Sequence, residues 1–244
     1  MSDFRDGVID YISETFKLED EILKDIIKQQ SLASGPMMNI GPDQGKLIEL
    51  LIKIHKPQRV LEIGSYFGYS AVWLARALKS NLAKAGENAE IEDREGVLGE
   101  RVAERTSLRQ YPLLTCLEKS SKQVPIIKAN LEKAELDSIV EVLEGDAFDF
   151  LKKQSANSFD LIFIDADKTN YPTYFTFAEK ILKSGGLLLV DNVLGLYNSE
   201  VLDPDNNDHR ISAIRKFNTM LANSELFDSA ILAIQSGLAI AVKK

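Results

Sequence analysis

One cysteine, Cys116, and two histidines, His55 and His209, stand in a chain of 244 residues. A lone thiol has no partner for an intrachain disulfide. One Cys and two His also leave almost nothing from which to build a zinc site or a Cys/His nucleophile pair. No apolar run approaches the roughly 20 residues that a membrane-spanning helix needs, so no membrane partner is expected. Positive charge is in deficit too: 29 Lys and Arg against 37 Asp and Glu leave a net charge of −8. Such a field does not collect phosphate backbones, and nucleic acid is not an expected partner. The start MSDFRDGVIDYISETF carries acids where a secretory leader would carry a basic flank, which makes a cytoplasmic location the expectation. Chemistry is left to carboxylates, amides, Lys and backbone.

What is present is the composition of an ordinary globular protein, 45% hydrophobic and 27% charged. A single domain over 1–244 is expected, since large α/β domains reach this size undivided. From Gln58 onward, β-branched and Leu-rich runs alternate with segments of helical period, the pattern of a doubly wound parallel sheet with helices on both faces. The strands read as 59–64, 113–118, 140–145, 159–166 and 186–192. Helices are predicted at about 68–79, 121–135, 147–153, 171–183 and 211–223. Two last runs, FDSAILAI and GLAIAVKK, suggest an antiparallel hairpin at a sheet edge. Within 1–45, Val8, Ile9, Ile12 and Phe16, then Ile22, Leu23, Ile26 and Ile27, recur at helical spacing. They predict two amphipathic helices, followed by a lid loop, SLASGPMMNIGPD, crossing the top of the sheet.

The segment 80–110 fits this alternation poorly. It holds seven acids and five bases and reads as a charged insertion between the first core helix and the second strand. A connection of that kind lies at the amino ends of the strands, whereas open α/β sheets bind ligands at the carboxyl ends. A surface elaboration or an oligomer contact is the expectation.

The candidate site residues all fall at strand ends. VLEIGSYFGYS runs from a strand through Gly64 and Gly68 into a helix. Glycine there either admits a ligand close to the backbone or relieves a tight turn, and the helix start offers free NH groups. The spacing is not the Gly-x-Gly-x-x-Gly of dinucleotide binders, which argues against a nicotinamide dehydrogenase. Glu118 ends the second strand, where doubly wound folds place an acid on ribose hydroxyls. Gly145, Asp146 and Ala147 end the third, beside a candidate adenine site. Asp165 ends the fourth strand in FIDADK, and Asp191 with Asn192 ends the fifth in LLLVDN. Adjacent parallel strands lie about 4.8 Å apart, so these groups converge. Two carboxylates and an amide are hard oxygen ligands suited to Mg²⁺, with Mn²⁺ or Ca²⁺ as alternatives. Lys168 lies three residues past Asp165, within reach of the same point. Cys116 and Trp73 read as core, and His55 and His209 as surface. Met37 and Met38 read equally as core or as an adaptable cover over a ligand.

Taken jointly, MNIGPDQGKL, VLEIGSYFGYSAVWLARAL, FIDADKTNY, DNVL and IRKFN resemble the metal-dependent, class I S-adenosylmethionine-dependent O-methyltransferases of the caffeoyl-CoA and catechol type. The resemblance covers the chain apart from 80–110. It implies a Rossmann-like methyltransferase sheet of seven strands with the last antiparallel, N-terminal helices over the site, and a homodimer. It further implies that Met38 and Ile40 bound the methyl donor, that Glu62, Gly64 and Ser70 hold its methionine end, and that Glu118 takes the ribose. Asp146 and Ala147 would face adenine, Asp165, Asp191 and Asn192 would hold the metal, with Asp165 also beside the donor, and Lys168 matches the general base. A donor without phosphates agrees with the missing third Gly. Two departures bear on the acceptor: Asp167 stands where the catechol enzymes carry Trp, which favours the caffeoyl-CoA branch. No Trp follows the Asp-Asn pair, and Tyr197 is a substitute for that wall. The expected reaction is methyl transfer to a hydroxyl of a catechol-like aromatic small molecule, with a caffeoyl-CoA-type thioester as one form. Methylation of a hydroxylated uridine in tRNA is the alternative within the fold, and a non-catalytic donor-binding module the alternative outside catalysis.

Overall fold

The computed structural model describes residues 2–33, 38–93, 113–195 and 200–244. Its described strands form a seven-stranded sheet: β1 (Val60–Ile63), β2 (Leu114–Glu118), β3 (Val140–Glu144), β4 (Phe159–Ile164), β5 (Leu182–Val190), β6 (Phe227–Leu232) and β7 (Leu238–Lys243). Their order is β3-β2-β1-β4-β5-β7-β6. The first five are parallel, and β7 runs antiparallel between β5 and β6. The helices are α1 (Ser2–Phe16), α2 (Glu21–Leu32), α3 (Pro42–His55), α4 (Tyr69–Asp93), α5 (Val124–Lys133), α6 (Ala147–Leu151), α7 (Tyr171–Ile181) and α8 (His209–Ala222).

Side chains alternate across a strand, and the two halves of the core separate on that period. Val60, Leu161, Phe163 and Leu189 face one layer with Leu23, Ile48, Val72 and Ile127, from α2 to α5. Leu61, Ile63, Ile162 and Ile164 face the other, with Phe175 of α7 and Phe217 of α8. Both faces are apolar because both are covered, so the strands read as continuous hydrophobic runs. Glu62 falls on the face of Val60, in a position where the alternation calls for a hydrophobe.

Three expectations about local structure are corrected. The lid loop ends at Gly41, and Pro42 starts a helix, α3, that the Gly/Pro-rich reading missed. Its signals were present: Pro at the first turn, Asp43 beside it, Lys53 and His55 in the last turn. Gly45 on α3 meets Trp73 of α4 closely, since a Cβ there would lie 2.6 Å from the indole Nε1. Second, the first core helix does not stop near 79; α4 runs to Asp93, through the first part of the charged segment. Ala, Leu, Lys and Glu are strong helix formers, and a charged exposed helix face has the same composition as a loop. Lys79 Nζ donates to the Glu135 carbonyl at 2.8 Å and Asn81 Nδ2 to the Ile52 carbonyl at 3.0 Å. Glu135 and Ile52 precede strands β3 and β1, so α4 here has reached the amino ends of the strands. Residues 94–112 lie outside the described residues. Third, β5 begins at Leu182 rather than at 186. Among the described residues no helix is long and apolar enough to cross a membrane.

Candidate active site

The parallel strands end in step. Gly145 N donates to Glu118 O, Gly64 N to Leu117 O, Asp165 N to Ile63 O and Asp191 N to Ile164 O, each at 3.0 Å. This ladder lines up the residues that follow β3, β1, β4 and β5 with Glu118, the last residue of β2, along one edge of the sheet. A cleft of about 720 Å³ opens over them, lined by Gly64, Ser70, Glu118, Asp146, Ala147, Asp165, Lys168 and Asn192. Met38, 52% exposed, borders it, and Asn39 joins it. Ile40 instead packs its side chain into the core. Glu62 lies beneath the cleft, and Asp191 is 3% exposed beside it. Met37 and Tyr197 lie outside the described residues.

Gly64 has φ of +89°, and a Cβ there would stand 2.3 Å from the Asp165 carbonyl oxygen. The glycine is therefore required by the approach of β1 to the backbone after β4, before any ligand is considered. Tyr66 also has positive φ, and the turn is pinned by Glu118, which accepts from Tyr66 N at 2.9 Å and Ser120 N at 2.8 Å. Asp146 caps α6, accepting from Phe148 N at 2.8 Å. That bond, aided by Lys119, holds its carboxyl below the usual range. The Phe148 ring stacks on Tyr174 at 5.0 Å.

Glu62 accepts from the Ser70 hydroxyl at 2.6 Å and from that of Ser65. Burial outweighs both and pushes its carboxyl up from 4.5 to about 7. Between those values the native state binds a proton that the unfolded chain has released, so ligand-free stability falls as pH rises from about 4.5 to about 7. Glu62→Gln should flatten that fall, with its melting temperature overtaking that of the parent above pH 7. Parallel melting curves for the two proteins from pH 4.5 to 8 would contradict the assignment.

At the other end of the cleft, Lys168 Nζ donates to Asp165 Oδ1 at 2.6 Å and sits 5.1 Å from the Tyr171 ring centroid. Although burial opposes it, the carboxylates of Asp165 and Asp191 raise the Lys168 pKa. The chain alone therefore keeps this ammonium charged, the reverse of the depression expected beside a bound cation. Asp191 is pushed up from 3.8 to about 7 by burial and then by repulsion from Asp165. Gln44 Nε2 donates to Asp191 Oδ1 at 2.7 Å, and the Tyr171 hydroxyl to the Asp191 carbonyl at 2.8 Å. Asn192 takes a left-handed φ of 56°, which Asn tolerates better than most residues. No group of three or more His, Cys, Asp or Glu converges among the described residues. The donor set is instead two facing carboxylates and an amide, hard oxygens whose mutual repulsion a divalent cation would relieve. The set fits such an ion.

Sequence reasoning missed Gln44, Tyr171 and Gln30. Gln44 and Gln30 occupy apolar positions of helical faces, so an amide on an otherwise apolar stripe was the available signal. Cys116 and Trp73 are buried as expected. His209 is exposed, while His55 is half-buried with Nε2 3.2 Å from the Asp160 carbonyl.

A Gly turn, an acid at the end of β2 and a β7 inserted antiparallel define a nucleoside-binding α/β fold of the methyltransferase class. The O-methyltransferase family profile matches residues 12–106 and 108–244. The chain belongs to this family, and with it to the class I S-adenosylmethionine-dependent O-methyltransferases. It is 30% identical to the catechol O-methyltransferase of Niastella koreensis, over 98% of this chain and 97% of that one. It is 27% identical to the caffeoyl-CoA O-methyltransferase of Stellaria longipes, over 93% and 86%. The structure of an O-methyltransferase from Bacillus cereus, in complex with SAH, superposes with a TM-score of 0.80 at 31% identity, covering 100% of both chains.

Proposed function

We propose that the protein moves the methyl group of S-adenosylmethionine to one hydroxyl of a vicinal diol on an aromatic ring, free or borne on a CoA thioester, at a divalent cation. The observation that carries this reading is the meeting of Asp165, Asp191 and Lys168 at one end of a cleft whose other end has Glu118 and Gly145 to Phe148. The likeness to the catechol and caffeoyl-CoA enzymes supports it.

In this reading Glu118 takes the ribose hydroxyls with the lone pairs its backbone donors leave free, and Asp146 with Ala147 borders the adenine. Glu62, with Ser70, faces the α-ammonium of the methionine end, a cation that would hold the buried carboxylate ionised. Met38 and Asn39 cover the donor, while Asp165, Asp191 and Asn192 would hold Mg²⁺ or a similar ion. Such an ion would supply positive charge, lowering the pKa of an acceptor hydroxyl beside it and, by like-charge repulsion, that of Lys168. Neutral Lys168 then accepts the hydroxyl proton as the oxygen lone pair forms the bond to the methyl carbon. The carbon–sulfur pair stays on sulfur, leaving S-adenosylhomocysteine. Holding oxygen, carbon and sulfur in line lowers the barrier further. Apolar side chains exposed one turn apart on α3, Leu50 and Ile54, support the homodimer.

Mass spectrometry with labelled donor and Mg²⁺, against caffeoyl-CoA, free catechols and bulk tRNA, tests the acceptor. Methyl transfer to a catechol or its thioester is expected. Transfer to tRNA alone would overturn the acceptor class, and donor binding without any turnover would overturn catalysis. Glu118→Gln keeps the shape and loses the charge, so donor affinity should fall by about tenfold; an unchanged dissociation constant by calorimetry would remove Glu118 from the ribose.

A further inference from the structure

Gln30 has 0% of its surface exposed, and among the described residues neither its Oε1 nor its Nε2 has a hydrogen-bond partner. A buried amide with both ends unmatched is costly, and native proteins rarely keep one without a use. The position does not call for it: Leu23, Ile26 and Gln30 share the buried face of α2, where a third apolar side chain would pack. Yet Gln30 lines the cleft. Its neighbour fastens that part of α2 in place. Gln29 Nε2 donates to Asn130 Oδ1 at 2.9 Å, and Asn130 Nδ2 donates both to Gln29 Oε1 at 3.2 Å and to the Phe67 carbonyl at 3.0 Å. Helix α2 is thus tied to the turn between β1 and α4; that turn and the first turn of α4 carry Ser65 and Ser70, whose hydroxyls donate to Glu62.

We propose that Gln30 completes the subsite for the amino-acid end of the methyl donor, its Nε2 donating to the α-carboxylate and its Oε1 accepting from the α-ammonium. An amide offers one donor group and one acceptor, the match for a zwitterion. The other parts of the ligands lie elsewhere: ribose at Glu118 at the end of β2, adenine after β3, acceptor after β4 and β5. The inference rests on the reading that the donor occupies this cleft. It makes Gln30 a binding residue whose unpaired state in the free protein is exchanged for two charge-assisted bonds in the complex.

The test compares S-adenosylhomocysteine with 5′-methylthioadenosine, which keeps the nucleoside and lacks the amino acid, by calorimetry on the full chain. Gln30→Leu and the similarly sized Gln30→Met should each bind S-adenosylhomocysteine about tenfold or more weaker. Both should bind 5′-methylthioadenosine as the parent does. Their ligand-free melting temperatures should equal or exceed the parent's, because two unmatched polar atoms are gone. Gln30→Glu sets a charge against the carboxylate and should lose more than Gln30→Leu. In the unaltered protein, the Gln30 side-chain NH₂ resonances should shift with S-adenosylhomocysteine and stay in place with 5′-methylthioadenosine. Equal losses for the two ligands, no loss, or resonances that ignore both would overturn the assignment while leaving the donor site standing. An unaltered protein that binds neither ligand would overturn the donor site and the assignment with it.

Discussion

Asp191→Asn is expected to abolish turnover while donor binding survives. The substitution keeps the side-chain shape and an acceptor for Gln44, whose Nε2 lies 2.7 Å from Asp191 Oδ1, and it removes one of the two facing carboxylates. Burial and the charge of Asp165 push the Asp191 carboxyl up to about 7 even with the Lys168 ammonium beside the pair, so keeping both carboxylates ionised calls for a cation beyond Lys168. Excess EDTA should therefore act on the unaltered protein as the substitution does, and Mg²⁺ should restore only the former. Gln44→Leu leaves the carboxylate but frees its orientation, and should weaken Mg²⁺ binding by about 10- to 100-fold, a typical cost for a residue that orients a metal ligand. Mg²⁺ affinity by calorimetry reads both variants without an assay of activity. Full turnover in excess EDTA, with no metal in the protein, would refute the metal-assisted scheme.

Lys168→Met should lower turnover by about 10²-fold or more with Mg²⁺ affinity retained. Lys168 is the cation paired with Asp165, and the two carboxylates hold its ammonium protonated in the ligand-free chain. To accept the hydroxyl proton it must first lose its own, so the rate should rise with pH until that group is neutral in the loaded enzyme. Lys168→Met should remove this limb of the pH–rate profile as well as lower its plateau. A variant that lost rate by the same factor at every pH would mark Lys168 as a prop for Asp165. Lys168→Arg separates the roles further, since guanidinium keeps the ion pair and cannot act as a base.

The alternation of apolar runs and helical periods is enough to state a parallel sheet with both faces covered, because burial on two sides leaves no polar face in a strand. The residues after those strands could be named as a site for the same reason: a parallel sheet sets every carboxyl end at one edge. Glu118, Asp146, Asp165, Lys168 and Asn192 were legible this way, and they share the cleft. Helix α3 and the extension of α4 were less so, since a Gly/Pro start and a charged exposed face read locally as loop.

Local sequence carries propensity and period, and these determine which elements form and where they end. They carry nothing about which distant side chains meet. Gln44 reaches Asp191 across 147 positions of chain, and Gln29 reaches Asn130 across 101. Gly64 owes its residue type to the Asp165 carbonyl just past β4. The charge states follow the same division. Whether Glu62 or Asp191 is ionised depends on desolvation by elements packed from elsewhere in the chain, and desolvation exists only once the core has closed.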